Sequence, residues 1–324
     1  MILEIGIFML GIGLLVYGAW LLVGGGSKVA SVLGVPPVVV GLTVVAFGTS
    51  APELFVSLVA ALRGSTGLVL GNVIGSNVAN LGLILATAAI LRPVIVEKGL
   101  PKREVPLLLG ATALFTFLVW DGELSRWDSL LLVLGFVAFM VMTLRSGHRE
   151  SNQEEAGSSL PEGLDPEPPG HKLKQLFGGL GLVILGIVGL AGGGQLIVTS
   201  ALDLALRLGV SETLIGLTLV AVGTSLPELA TTIIAAWKNQ DDLALGNIIG
   251  SNLFNILAVA GPVGLIHPLV QEGSQGRVQL LCMCLLTALV FVMIVFRGGK
   301  IGRGRGWVLA LLYTGIMAAW MIQP

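Results

Sequence analysis

The hexapeptide Gly-Thr-Ser-x-Pro-Glu occurs twice, as Gly48 to Glu53 and as Gly223 to Glu228, each time with the glutamate deep in a long apolar stretch. An ionisable side chain at the centre of a membrane helix costs about 2.5–3.5 kcal/mol on insertion scales, so two such carboxylates point to a function. Each motif surrounds its glutamate with oxygen. Thr49, Ser50, Thr224 and Ser225 bring hydroxyls. Pro52 and Pro227 lack the N–H that a helix needs, which frees carbonyls one turn earlier and points to those of Gly48 and Gly223. A freed carbonyl at membrane depth must face protein or a polar cavity. Two further segments, opened by Gly71 and Gly75 and by Gly246 and Gly250, add Ser76, Asn77 and Asn80, and Ser251, Asn252 and Asn255. A spacing of four puts Ser76 with Asn80, and Ser251 with Asn255, on one helix face. With no histidine or cysteine among them, these donors favour hard cations over zinc or copper(I). Calcium takes 6 to 8 oxygens at about 2.3–2.6 Å and tolerates irregular geometry, and two carboxylates neutralise one divalent ion. The same oxygens can hold sodium or protons, and competition for one ligand set is the physical basis of antiport.

Only membrane-spanning elements can carry these residues. The 324-residue chain is 54% hydrophobic and 11% charged, with a mean hydropathy of +0.93, whereas soluble domains carry about 25% charged residues. Apolar stretches of roughly 20 residues predict ten transmembrane helices, near 3–25, 36–61, 67–91, 104–120, 127–144, 175–200, 210–236, 242–266, 278–296 and 306–322. The first contains Glu4 and no Lys or Arg before it, so it reads as a retained span rather than a signal peptide. Counting Lys and Arg in alternate connections gives 14 on one side, including Lys28, Arg92, Lys238 and Arg303, and 4 on the other: Arg63, Arg126, Arg207 and Arg277. The positive-inside rule makes the first side cytoplasmic and places both termini outside.

The chain repeats itself. Residues 41–62 match residues 216–237 at 13 of 22 positions, and residues 71–82 match residues 246–257 at 7 of 12, both at an offset of 175. Five spans per half is an odd number, so the second half enters the bilayer inverted; inverted repeats place transporter sites near the midplane, on interrupted helices. The predicted organisation is an all-α polytopic protein with a first five-helix repeat (1–144), a flexible cytoplasmic linker (145–173) rich in Glu, Pro, Gly and Ser, and a second, inverted repeat (174–324). Gly11, Gly13, Gly24 to Gly26 and Gly192 to Gly194 read as helix-packing residues. Cys282 and Cys284 read as small packing residues, and the three histidines as loop residues. No glycine run has the context of a nucleotide loop, and the net charge of −1 carries no signal for nucleic acid.

Paired in this way, the two motifs resemble the alpha repeats of the cation/calcium antiporter superfamily, and are most similar to prokaryotic sodium/calcium exchangers. The resemblance implies ten helices in two inverted repeats, four of them enclosing adjacent sodium and calcium sites. It also implies alternating access, in which helices one and six slide. The implied ligands are Glu53 and Glu228, then Thr49, Ser50, Ser76 and Asn80 with Thr224, Ser225, Ser251 and Asn255, joined by the backbone carbonyls of Ala46 and Ala221. Calcium and sodium are then transported substrates, with no cofactor, in the lipid of a plasma membrane. Some potassium-dependent relatives carry Asp where this chain has Asn255, which argues against potassium co-transport, and the Gly-Ser-Asn sequence favours sodium over a proton/calcium exchanger of the same fold. The short linker has no room for large regulatory calcium-binding domains. Two other classes remain as alternatives: a cation channel, and an intramembrane hydrolase with Ser50 or Ser225 as nucleophile, which would lack an embedded His or Lys as base.

Overall fold

The computed structural model describes residues 2–95, 100–157, 171–207, 221–270, 275–295 and 300–322. Its elements are α1 (Ile2–Leu33), α2 (Pro37–Thr49), α3 (Ala51–Leu62), α4 (Thr66–Leu91), β1 (Val94–Ile95), α5 (Leu100–Leu118), β2 (Glu123–Leu124) and α6 (Arg126–Gly157). After these come α7 (His171–Arg207), α8 (Ala221–Thr224), α9 (Leu226–Trp237), α10 (Asp241–Ile266), β3 (Leu269–Val270), α11 (Gln275–Val295), β4 (Lys300–Ile301) and α12 (Arg303–Ile322). Among the described residues six helices are long and apolar enough to cross a bilayer, and the α2–α3 pair, bent by 44°, makes a seventh. The spans expected near 104–120 and 306–322 fall on α5 and α12. Of the span expected at 210–236, residues 210–220 lie outside the described residues.

One boundary differs from the sequence reading. Helix α6 continues past residue 144, through a stretch expected to be linker, as far as Gly157. Its Arg, Glu, Gln and Ala residues are good helix formers, so a polar composition alone did not end the helix. The remainder of that linker, 158–170, lies outside the described residues.

The helices differ sharply in what surrounds them. The best spanning windows of α4 and α10 are 78% and 83% buried, against 28% for α1 and α7 and 22% for α6. Helices α4 and α10 are therefore the centre, and the others present apolar surface outward, with Phe55, Phe117, Leu285 and Leu311 among the exposed residues. The larger apolar core joins α4, α5, α6, α10 and α11, and a second core joins α1, α7 and the start of α10. Two short antiparallel ribbons tie distant parts of the chain: β1 pairs with β4, and β2 with β3. Arg92 adds a further tie, donating to the carbonyl of Ala236 at 2.7 Å and standing 3.9 Å from Asp241.

Helices α1 and α7 pack along a seam of glycines spaced by seven. Gly11, Gly18 and Gly25 of α1 face Gly193, Gly186 and Gly179 of α7 in antiparallel order. A Cβ on Gly18 would stand 2.7 Å from the backbone nitrogen of Leu190, and one on Gly186 would stand 2.6 Å from that of Leu22. Small residues let backbones approach closely, and in lipid such packing drives helix association. Gly13 and Gly192, also expected to be packing residues, have open space where a Cβ would go.

Candidate functional site

The site is built where two helices break. Helix α2 ends at Thr49, Ser50 adopts φ −86° and ψ 3°, and α3 starts at Ala51 with Pro52 in its first turn. The second motif repeats the geometry: Ser225 adopts φ −87° and ψ 2° between α8 and α9, with Pro227 in the first turn of α9. Proline cannot supply its N–H to the preceding turn, so each chain bends and restarts. Glu53 and Glu228 consequently sit in the first turns of α3 and α9, where the positive end of the helix dipole favours a carboxylate. Glycine allows the close approach at each break. A Cβ on Gly48 would stand 2.6 Å from Ile187, and one on Gly223 would run into the Val198 side chain.

Both carboxylates are buried, at 1% exposure each, and they lie close enough to interact electrostatically. Ser50 donates to Glu228 Oε1 at 3.1 Å, joining the first motif to the second. Thr49 Oγ1 lies 3.3 Å from Ser251 Oγ, a second link between the halves. Among the described residues, both oxygens of Glu53, Oε2 of Glu228, the hydroxyls of Thr224, Ser225 and Thr231 and both amide atoms of Asn80 and of Asn255 have no partner in good hydrogen-bond geometry, although Thr224 neighbours Glu53, and Thr49 and Ser251 neighbour Glu228. Unsatisfied buried polar groups cost about 1–3 kcal/mol each, more when charged, so such a cluster is stable only if something else satisfies it. Buried carboxylate, hydroxyl and amide oxygens left in this way suit a desolvated hard cation.

The structure gathers the sequence candidates unevenly. Thr49, Ser50, Glu53, Ser76, Asn80, Ser225, Glu228, Ser251 and Asn255 are all buried, and Thr224 is partly so. Asn80 opens a π-helical turn, Asn80–Ile84, and Asn255 lies in another, Phe254–Ala260; single π turns occur frequently at functional sites. The carbonyl of Ala46 accepts from the Ser50 N–H at 2.9 Å and from the Thr49 hydroxyl at 3.3 Å. Ala221 is the first residue of α8, and its side chain lies outside the described residues. Asn77 and Asn252 turn back onto their own helices, each donating to a carbonyl four residues earlier at 2.7 Å.

Sequence reasoning passed over four residues that frame the site. Asn247 accepts from Thr49 at 3.1 Å and donates to Thr232 at 3.2 Å. Asn72 donates to Ser57 at 3.0 Å and to the Glu53 carbonyl at 3.3 Å. Asn72 with Asn247, and Ser57 with Thr232, are each 175 residues apart, so the repeat alignment already contained the signal.

Comparison with known proteins gives one consistent result. Residues 3–145 and 178–321 match the family model described as sodium/calcium exchanger protein. The chain is 33% identical to the sodium/calcium exchanger MaX1 of Methanosarcina acetivorans, over 96% of each chain. It is 35% identical to the inner membrane protein YrbG of Escherichia coli, over 99% of this chain and 96% of that one. Among solved structures it is similar to the sodium-calcium exchanger NCX_Mj soaked with 10 mM Na+ and zero Ca2+, with a TM-score of 0.84 and 32% identity over 98% of this chain and 99% of that one.

Proposed function

The chain belongs to the sodium/calcium exchanger family, and from that premise we propose that it exchanges calcium for sodium by alternating access, at a site formed by Glu53 and Glu228. Membership makes it a membrane transporter of the cation/calcium exchanger class and not an enzyme, which removes the hydrolase reading of Ser50 and Ser225. The observation that carries the rest is the Ser50–Glu228 hydrogen bond, which links the two helix breaks that carry the buried carboxylates. Calcium bridges the two carboxylates, with oxygens of Thr49, Ser50, Ser76, Asn80, Thr224, Ser225, Ser251 and Asn255 and the carbonyls of Ala46 and Ala221 completing its shell and the adjoining sodium sites. Sodium arriving from the opposite side competes for the same oxygens and displaces it.

In this reading the chain has ten transmembrane helices in two inverted repeats, 1–144 and 174–324, with both termini outside a plasma membrane. The matching breaks at Ser50 and Ser225 support the repeat. The ribbons support it too: β1 and β3 are 175 residues apart, and each pairs with a strand of the other half. The glycine seam holds α1 and α7 together backbone to backbone, as a pair that slides as one body along its neighbours would require. Neutral amides at both Asn80 and Asn255 leave two formal charges in the chamber, which suits one calcium, and the remaining neutral oxygens suit sodium.

Calcium uptake into proteoliposomes, driven by an outward sodium gradient in one set and an outward proton gradient in another, tests the proposal. Uptake with sodium alone is the expected result. Uptake with protons alone would assign the same site to proton/calcium exchange, and equal flux without either gradient would assign it to a channel.

A further inference from the structure

The Thr49 hydroxyl has one proton and several oxygens around it: Asn247 Oδ1 at 3.1 Å, the Ala46 carbonyl at 3.3 Å, Ser251 Oγ at 3.3 Å and the neighbouring Glu228 carboxylate, whose oxygens a bound cation would take up. Where that proton points decides what the site can offer a cation. If it points to Ala46, it occupies the second lone pair of a carbonyl that already accepts the Ser50 N–H at 2.9 Å. If it points to Asn247, the Ala46 carbonyl keeps a free lone pair, and the Thr49 oxygen can accept from or coordinate whatever lies on its other side.

Asn247 is placed to draw the proton its way. It has 0% exposure, so no solvent competes for its amide. Its nitrogen donates to the equally buried Thr232 hydroxyl at 3.2 Å, which leaves the amide oxygen toward Thr49. The first half keeps the same residue type and the same anchoring contact, from Asn72 to Ser57 at 3.0 Å. Among the described residues Asn72 makes no equivalent contact with Thr224, which stands beside Glu53. The asparagine-to-threonine contact is therefore made in one half and not in the other in this conformation.

We propose that Asn247 is a positioning residue that holds the Thr49 hydroxyl proton away from the cation path, so that the oxygens of Thr49 and Ala46 both face the ion. The inference rests on the functional reading above. It adds a residue that touches no ion and acts only through Thr49, as groups behind a metal's direct ligands fix their orientation.

The test is calcium titration of the purified full-length protein, by calorimetry, in wild type and in Asn247→Leu, Asn247→Asp, Thr49→Val, Glu53→Gln and the Thr49→Val/Asn247→Leu double variant. Asn247→Leu is expected to weaken calcium binding by about 10- to 100-fold, the usual range for a group behind the direct ligands. Asn247→Asp, whose carboxylate can only accept from Thr49, is expected to recover most of that loss. The double variant is expected to bind as Thr49→Val alone does, because residues that act through one contact are not additive. Full binding by Asn247→Leu, equal weakness of the Leu and Asp variants, or losses that multiply in the double variant would each overturn the inference. Should Asn247→Leu fail to fold, Thr232→Val, which releases the amide, takes its place in the same cycle with a smaller loss expected. Undiminished calcium binding by Glu53→Gln would overturn the functional reading and this inference with it, whereas normal loss there beside an additive cycle defeats the inference alone.

Discussion

Glu53→Gln and Glu228→Gln should each abolish sodium-driven calcium uptake while leaving the protein folded. With both carboxylates present, one calcium is neutralised in a chamber where each glutamate is 1% exposed. Removing either charge leaves a net positive charge buried without compensation. Breaking a buried ion pair from one side costs about 3–5 kcal/mol, which is about two to four powers of ten in affinity. Glutamine keeps the shape of the side chain, and at Glu228 it still offers an oxygen to Ser50. Thermal unfolding without calcium should therefore match wild type or lie above it, since a buried charge has been removed. Uptake assays alongside melting curves separate the two effects. Robust exchange by either variant would remove that carboxylate from the site.

The glycine seam predicts opposite outcomes for one substitution at two positions in the same helix. In Gly18→Ala the new methyl would stand 2.7 Å from the Leu190 nitrogen and 2.9 Å from the Gly186 carbonyl oxygen. These are backbone atoms, so the helices must separate along the seam, and overpacking of this kind costs about 1–3 kcal/mol. In Gly13→Ala the methyl meets nothing within 4 Å, and the change should be neutral or gain up to about 1 kcal/mol from helix propensity. Exchange should fall in Gly18→Ala and hold in Gly13→Ala, with melting temperatures moving in the same order. Equal behaviour of the two variants would show that the seam does not carry the packing of α1 on α7.

Much of this site was legible because it depends on residue types that are costly in a membrane. Glu53, Glu228 and their prolines announce themselves against an apolar background, and the offset of 175 fixes which residues correspond. The helix breaks followed from proline chemistry and lie at Ser50 and Ser225. The π turns at Asn80 and Asn255 left no mark in composition, since they shift a hydrogen-bond register without changing residue preference. Asn247 was quoted within a repeat and still missed, because its partner Thr49 is 198 residues away and only packing brings them together. The seam illustrates the same limit. Runs such as Gly24 to Gly26 attract notice, whereas the contacts depend on a spacing of seven in two helices, and only Gly25 of that run meets the facing backbone of α7. The continuation of α6 to Gly157 was hidden by polar residues that are also good helix formers.

Crystals of the protein grown with calcium and without sodium, with the calcium located by its anomalous scattering, test the central claim most directly. The predicted result is one calcium with carboxylate oxygens of both Glu53 and Glu228 at about 2.3–2.6 Å, lost when the crystals are moved to high sodium. Ordered calcium elsewhere, for example against Asp241 and Asp242 at the start of α10, with none between the two glutamates, would contradict it.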